Sequence, residues 1–268
     1  VARLARMTPG PWLSIVTVVK DDVTGLTRTI KSMQAQDLVG VELVVVDGSS
    51  DSAAVPAQLA SSAIPSVTEV HEPPRGIYPA MNTGLRLATG DYVLYLNAGD
   101  CFDHPGVVAC VRELASSQPE WIVGRVRILS PGAPAVVSAS WDYAAEKSHL
   151  FARGVFPPHQ ATIARRSLLL AAGGFDTSYA IAADYALALA MSRHSDPLMT
   201  DLVIAQFHEG GVSTQQWQES FREFHRARRA VFAPTGLDSV RENVATATHF
   251  ARVFAYRNVV SRLTRSSA

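Results

Sequence analysis

Lysine is nearly absent from this 268-residue chain, standing only at Lys20, Lys31 and Lys147. The 24 basic residues are matched by 24 acidic ones, for a formal net charge of +0. Without a basic excess the chain lacks the global footprint of a nucleic-acid binder, and any positive surface is local. The preference for arginine is explained as well by GC-rich coding as by function. Cysteine is scarce too. Cys101 and Cys110 have no histidine or second thiol at zinc-ligand spacing, and read as ordinary thiols of a reducing compartment. No run of about eighteen apolar residues is present, so no spanning helix is expected. The run Trp12 to Val19 is broken by Ser14 and Thr17 and followed by Lys20-Asp21-Asp22, which reads as a buried strand rather than a signal peptide. Internal repeats and low-complexity segments are missing as well. So are a Gly-rich dinucleotide fingerprint, a phosphate loop ending in Gly-Lys-Ser/Thr and a Gly-x-Ser-x-Gly elbow. The dehydrogenase, kinase and hydrolase signatures of a parallel sheet fall away with them.

What is present is a globular composition: 47% hydrophobic, 8% aromatic and 18% charged residues exclude disorder and fibrous folds. The length suits one large α/β domain, or one domain with an appendage. Leu13 to Val19, Val41 to Val46, Ser66 to His71 and Tyr92 to Leu96 read as strands; Gly25 to Gln36 and Tyr78 to Ala88 read as helices between them. This alternation predicts a mostly parallel, Rossmann-like sheet with helices on both faces. Ile122 to Leu129 and Ala135 to Ser138, parted by Ser130-Pro131-Gly132, predict a small antiparallel hairpin. Arg165 to Ala172 and Ala182 to Arg193 predict helices, and Phe207 to Ser213 a polar, flexible loop before a helical tail.

Ligands of such sheets bind beyond the carboxyl ends of the strands. Three of those turns are acidic or polar: Lys20-Asp21-Asp22, Asp47-Gly48-Ser49-Ser50-Asp51 and Asn97-Ala98-Gly99-Asp100. Carboxylates repel phosphates unless a divalent cation stands between, but they accept hydrogen bonds from a base or ribose. A nucleoside diphosphate held partly by metal fits both roles.

Leu13 to Val19, Glu42 to Asp51, Arg75-Gly-Ile-Tyr-Pro-Ala-Met-Asn-Thr-Gly84 and Gly90 to Asp100 resemble, in this order, the successive motifs of glycosyltransferase family 2, in particular the branch with colanic-acid glycosyltransferases. The resemblance spans about residues 13 to 213. It implies a GT-A fold over 1–215, with a nucleotide-binding half at about 11–103 and an acceptor half at about 104–215. It also implies a nucleotide-sugar donor, and Mn2+ or Mg2+ as cofactor. Matched position by position, Thr17 and Asp47 fall where the family holds base and ribose, and Arg75, Asn82 and Asn97 where it meets the donor. Thr17 equally suits a strand interior, Asp47 a helix cap, Arg75 a solvated loop and Asn82 a helix-interior hydrogen bond. Where relatives carry an Asp-x-Asp, Asn97-Ala98-Gly99-Asp100 lacks two carboxylates. Asp100 remains as the metal ligand or a turn carboxylate, and His208 is a further candidate ligand that closes with its loop. Asp184, in Ile181-Ala-Ala-Asp-Tyr185, matches the general base of inverting members, and also suits a helix start. His159 matches an acceptor-side position or a packing role.

After Glu242 no acid occurs, whereas Arg252, Arg257, Arg262 and Arg265 do, with Val253, Tyr256, Val260 and Leu263 on one helical face; Arg222, Arg226, Arg228 and Arg229 form a second basic group. This extension, 216–268, reads as separate from the site, packed with solvated arginines or lying on an anionic membrane. The expected partners are a nucleotide-sugar donor and a saccharide or lipid-linked acceptor, with no nucleic acid. The expected location is cytoplasmic, peripheral on the inner face of the membrane. A sugar-nucleotide-binding protein with weakened catalysis and a nucleotidyltransferase are the competing readings.

Overall fold

A computed structural model describes residues 10–208 and 217–255. Strands β1 (Leu13–Val19) and β2 (Val41–Asp47) are buried at every position. Their side chains alternate between two cores: Leu13, Ile15 and Val19 join one hydrophobic cluster, Val16 and Val18 the other. A continuous β-branched run is what a strand covered on both faces requires. Helices α1 (Val23–Gln34) and α2 (Ala54–Ala60) follow the two strands; α1 buries Leu26, Ile30 and Met33 and α2 buries Val55 and Leu59 against the first cluster. After β3 (Val67–His71), α3 (Ile77–Leu87) buries Met81 and Leu85 in the second. Gly84 sets the closeness of that packing, since a Cβ there would lie 2.3 Å from Val16 Cγ1. Strand β4 (Tyr92–Tyr95) completes the parallel half.

The other half comprises β5 (Cys101–Phe102), α4 (Val107–Ala115), β6 (Trp121–Leu129), β7 (Val136–Val137), α5 (Tyr143–Ala152), a 3-10 turn (His159–Ala161), β8 (Thr162–Arg165), α6 (Arg166–Ala171), α7 (Ala183–Ser192) and β9 (Leu198–His208). One nine-stranded sheet runs β3-β2-β1-β4-β8-β6-β9-β5, with β7 on β6. Pairing is parallel from β3 to β4 and between β6 and β9, and antiparallel at β4·β8, β8·β6, β9·β5 and β6·β7. The antiparallel part is thus larger than the single hairpin read from the sequence. Over the sheet as a whole, α3, α6 and α7 cover one face and α1, α2 and α4 the other.

Phe207 and His208 pair with Ile128 and Leu129 at the end of β9 and so are strand, not loop as expected; residues 209–213 lie outside the described residues. The extension forms α8 (Trp217–Phe232) and α9 (Gly236–Ala255). Arg252 and Val253 fall within α9, while Tyr256, Arg257, Val260, Arg262, Leu263 and Arg265 lie outside the described residues. Arg228 corrects the picture of a solvated basic group: it is 5% exposed, pairs with Glu242 and donates to Tyr185 Oη at 3.2 Å. Among the described residues no helix is long and apolar enough to cross a membrane.

Candidate active site

Because β1, β2 and β4 run parallel, their carboxyl ends share one edge. A cavity of about 370 Å³ opens there, within the size range of small-molecule sites, and is lined by Lys20, Asp22, Gly48, Glu72, Arg75 and Asn97 among others. The two acidic turns are tied together. Asp21 Oδ1 accepts from Ser50 N at 2.8 Å and Asp21 N donates to Ser49 Oγ at 2.9 Å. These bonds hold Asp21 at φ 54°, a costly conformation for a side chain that only such over-determination retains. Asp22 caps α1 by accepting from Gly25 N at 2.7 Å. Arg75 is 68% exposed on its side chain, with a 3.5 Å contact to Glu72, and so offers its planar fork to an anion in the cavity.

Three residues expected at the donor are spent internally. Thr17 is fully buried and donates to Leu96 O at 2.7 Å. Asp47 is also fully buried; Oδ1 accepts from Ser49 N at 2.8 Å and Oδ2 faces His71 Nδ1 at 3.0 Å. Burial alone would raise its pKa, but the bonds from Ser49 and His71 prevail and hold it below the ordinary carboxylate range. Asn82 gives Nδ2 to Phe175 O at 2.7 Å and takes Phe175 N on Oδ1 at 2.9 Å. The α3 motif therefore grips the segment leading to α7, a task shared by Tyr78. Its ring stacks on Phe175 at 5.5 Å and its hydroxyl donates to Ile181 O.

The turn after β4 brings the other expected residues together. Gly99 at φ 98° lets Asp100 N return to Asn97 O at 2.9 Å. Thr29 of α1, fully buried, clasps this turn by donating to Asp100 O at 2.7 Å and accepting from Gly99 N at 3.0 Å. Burial pushes the Asp100 carboxyl up to about 6, opposed by His159, Asn97 N–H and Gln160. The His159 ring bridges two elements: Nε2 lies 3.5 Å from Asn97 Nδ2, and Nδ1 lies 3.6 Å from Asp184 Oδ2. Asp184, 20% exposed on its side chain, also accepts from Tyr185 N at 2.8 Å on Oδ1. Asp184 and His159 back onto Pro157, Phe175, Leu187 and Met191, an apolar wall that strengthens the electrostatics in front of it.

Among the described residues no three His, Cys, Asp or Glu side chains converge as a metal cage. Asn97 Oδ1 is buried without a hydrogen-bond partner. It shares a turn with the Asp100 carboxylate, and both are oxygen donors of the kind a hard cation takes when its remaining ligands are phosphate oxygens and water. His208 ends β9 two residues beyond Gln206, the partner of Cys101.

The glycosyl transferase family 2 model matches residues 14–156. Uncharacterized glycosyltransferase Rv1514c of Mycobacterium tuberculosis H37Rv is 32% identical over 237 residues, which cover 84% of this chain and 82% of the relative. The chain belongs to glycosyltransferase family 2. A second relative in that organism, PGL/p-HBAD biosynthesis glycosyltransferase Rv2957, is 28% identical over 215 residues, 76% of this chain and 79% of its own. Staphylococcus aureus TarS 1-349 in complex with UDP shares the fold at TM-score 0.65 and 15% identity, over 92% of this chain and 73% of its own. Mannosyltransferase PcManGT from Pyrobaculum calidifontis, in complex with GDP-Man and Mn2+, does so at TM-score 0.63 and 17% identity, over 97% and 80%. The fold is thus GT-A, and the family membership makes the chain a glycosyltransferase. Thr29, which helps hold its site in shape, went unread in the sequence, and Tyr78 and Asp21 were read only as members of a motif and of an acidic turn, without their bonding roles. Their partners lie 71, 103 and 29 residues away, and no local pattern signals them.

Proposed function

We propose that the chain transfers a hexosyl or deoxyhexosyl group from a nucleoside-diphosphate sugar to a hydroxyl of a saccharide or lipid-linked acceptor, with inversion, in polysaccharide or glycolipid biosynthesis. The observation that carries this reading is the His159 bridge, which links Asn97 at the wall of the 370 Å³ cavity to Asp184. Residues 11–103 then form the donor half and 104–215 the acceptor half. The complexes with UDP and with GDP-Man and Mn2+ in similar folds support a nucleotide-sugar donor, and the order of the sequence motifs supports the colanic-acid branch.

In the proposed step the acceptor oxygen bonds to the anomeric carbon while the bond from that carbon to the diphosphate oxygen breaks. The electron pair leaves on the diphosphate, and the acceptor proton passes to the Asp184 carboxylate. Asn97 and Asp184, at 3.5 and 3.6 Å from the two nitrogens of one imidazole, bring donor and base near each other, the positional part of the rate. Arg75 pairs with the diphosphate, and His159 lies on the acceptor side. Asp100 and Asn97 Oδ1 would hold a divalent cation, which when bound neutralises the leaving group; His208 is proposed to reach it from the end of β9. Thr17, Asp47 and Asn82 support the donor site from beneath rather than through exposed polar atoms.

A lipid-linked acceptor suits an enzyme on the inner face of a membrane. Leu237, Val240 and Val244 of α9, 76%, 57% and 60% exposed, form an apolar row that supports this contact. The test of the transfer reading is Asp184→Asn, which keeps donor binding and loses turnover.

A further inference from the structure

The base segment, like Asp184 itself beyond the matched residues 14–156, is held by the C-terminal extension. Residues 180–182 are Ala-Ile-Ala, without a side chain able to cap α7, and no capping side-chain bond is made there. Instead Glu223 of α8, 6% exposed, accepts three backbone N–H groups at 2.8 Å each: Ala180 on Oε1, and Ile181 and Ala182 on Oε2. Charge-assisted bonds of this kind are about twice as strong as neutral ones. The neighbouring turns of α8 add to the hold. Arg226 donates to Ser178 O at 2.8 Å and lies 4.1 Å over the Tyr179 ring, and Arg228 donates to the Tyr185 hydroxyl at 3.2 Å. From the opposite side Tyr78 of α3 takes the Ile181 carbonyl. Residues 178–185, with Asp184 among them, are thus pinned between α3 and α8.

We propose that Glu223 is a positioning residue for glycosyl transfer: its carboxylate fixes the 180–182 backbone and thereby the Asp184 carboxylate at the end of the His159 bridge. The proposal rests on the reading of Asp184 as general base. It makes α8 part of the catalytic unit. Glu223 touches neither donor nor acceptor; it acts through Asp184. A shift of about 1 Å in a reacting group costs on the order of a hundredfold in rate, which gives the three bonds their leverage.

The test uses the full chain with UDP-GlcNAc or GDP-mannose, whichever it binds, and reads nucleoside-diphosphate release alongside donor affinity. Glu223→Ala should lower turnover by roughly tenfold or more, the scale of a displaced general base, with donor affinity changed by less than about twofold. Placed in the Asp184→Asn background it should cause no further loss, since two residues acting as one unit are not additive. Glu223→Gln, which keeps one acceptor oxygen, should fall between, and it carries the same comparison if the alanine variant does not fold. Amide exchange at 180–182 should quicken in both variants. Full turnover in folded Glu223 variants, weakened donor binding, or a loss that multiplies with Asp184→Asn would overturn the proposal. Full turnover of Asp184→Asn itself would instead remove the base reading beneath it.

Discussion

Asp100 sits where burial disfavours its charge, with its carboxyl pushed up to about 6 from the ordinary 3.8. A carboxyl whose folded value is raised binds its proton more tightly in the native state. Its contribution to stability is therefore full below about pH 3.8 and is lost as pH rises through about 6. Asp100→Asn should flatten the fall in Tm over that window and leave the protein more stable than the parent at pH 7, by about 1–2 kcal/mol. A thermal-shift series from pH 4 to 8 checks it. The same carboxylate is the anionic half of the proposed cation set, so Asp100→Ala should abolish any gain in nucleoside-diphosphate affinity from Mn2+ while leaving the fold intact. Calorimetric titration of UDP or GDP, with Mn2+ and with a chelator, measures that gain. Equal affinities in the unmutated protein would remove the metal from the account.

Helix α1 matters to the site through one hydroxyl. Thr29→Val keeps shape but strands the Gly99 N–H and Asp100 carbonyl that Thr29 now serves, a cost of about 1–3 kcal/mol. Donor affinity should fall with stability, as read by denaturant unfolding and nucleotide titration. That clasp shows where sequence reading reaches its limit. β1, β2 and β4 were legible because apolar runs with β-branched residues announce buried strands. β9 was not, since its eleven residues include Thr200, Asp201 and Gln206 and are mostly half-buried, and β5 has two residues only. The motifs named Asn97, Asp100, His159 and Asp184, which the fold does bring close. They left Thr17 and Asn82 open between donor and internal roles and could not name Leu96 and Phe175 as partners, because those bonds join residues 79 and 93 positions apart. The extension is helical as read, with Arg222 and Arg226 78% and 52% exposed on their side chains, and departs from the reading at one residue. Arginines spaced along a helix look solvated, yet Arg228 is buried beside Tyr185 because Glu242 and Thr246 of α9 receive its other donors.

As a whole the molecule joins a parallel half that presents the 370 Å³ cavity, the proposed donor site, to a mixed half that carries Asp184, with α8 braced against the latter. If α9 also meets a lipid surface, replacing Leu237, Val240 and Val244 together by serine should weaken binding to phosphatidylglycerol vesicles by roughly tenfold or more, given about 1.5–3 kcal/mol for each buried side chain. Vesicle sedimentation of the full chain measures this, and unchanged binding would confine α9 to a packing role. The central claim is that Asp184 takes the acceptor proton beside a nucleotide-sugar site. Its most direct test is single-turnover nucleoside-diphosphate release by Asp184→Asn at saturating donor, beside the parent protein. The account predicts donor affinity within about twofold and a rate lower by about a hundredfold or more, the usual scale for losing a general base. Release at the parent rate would contradict it.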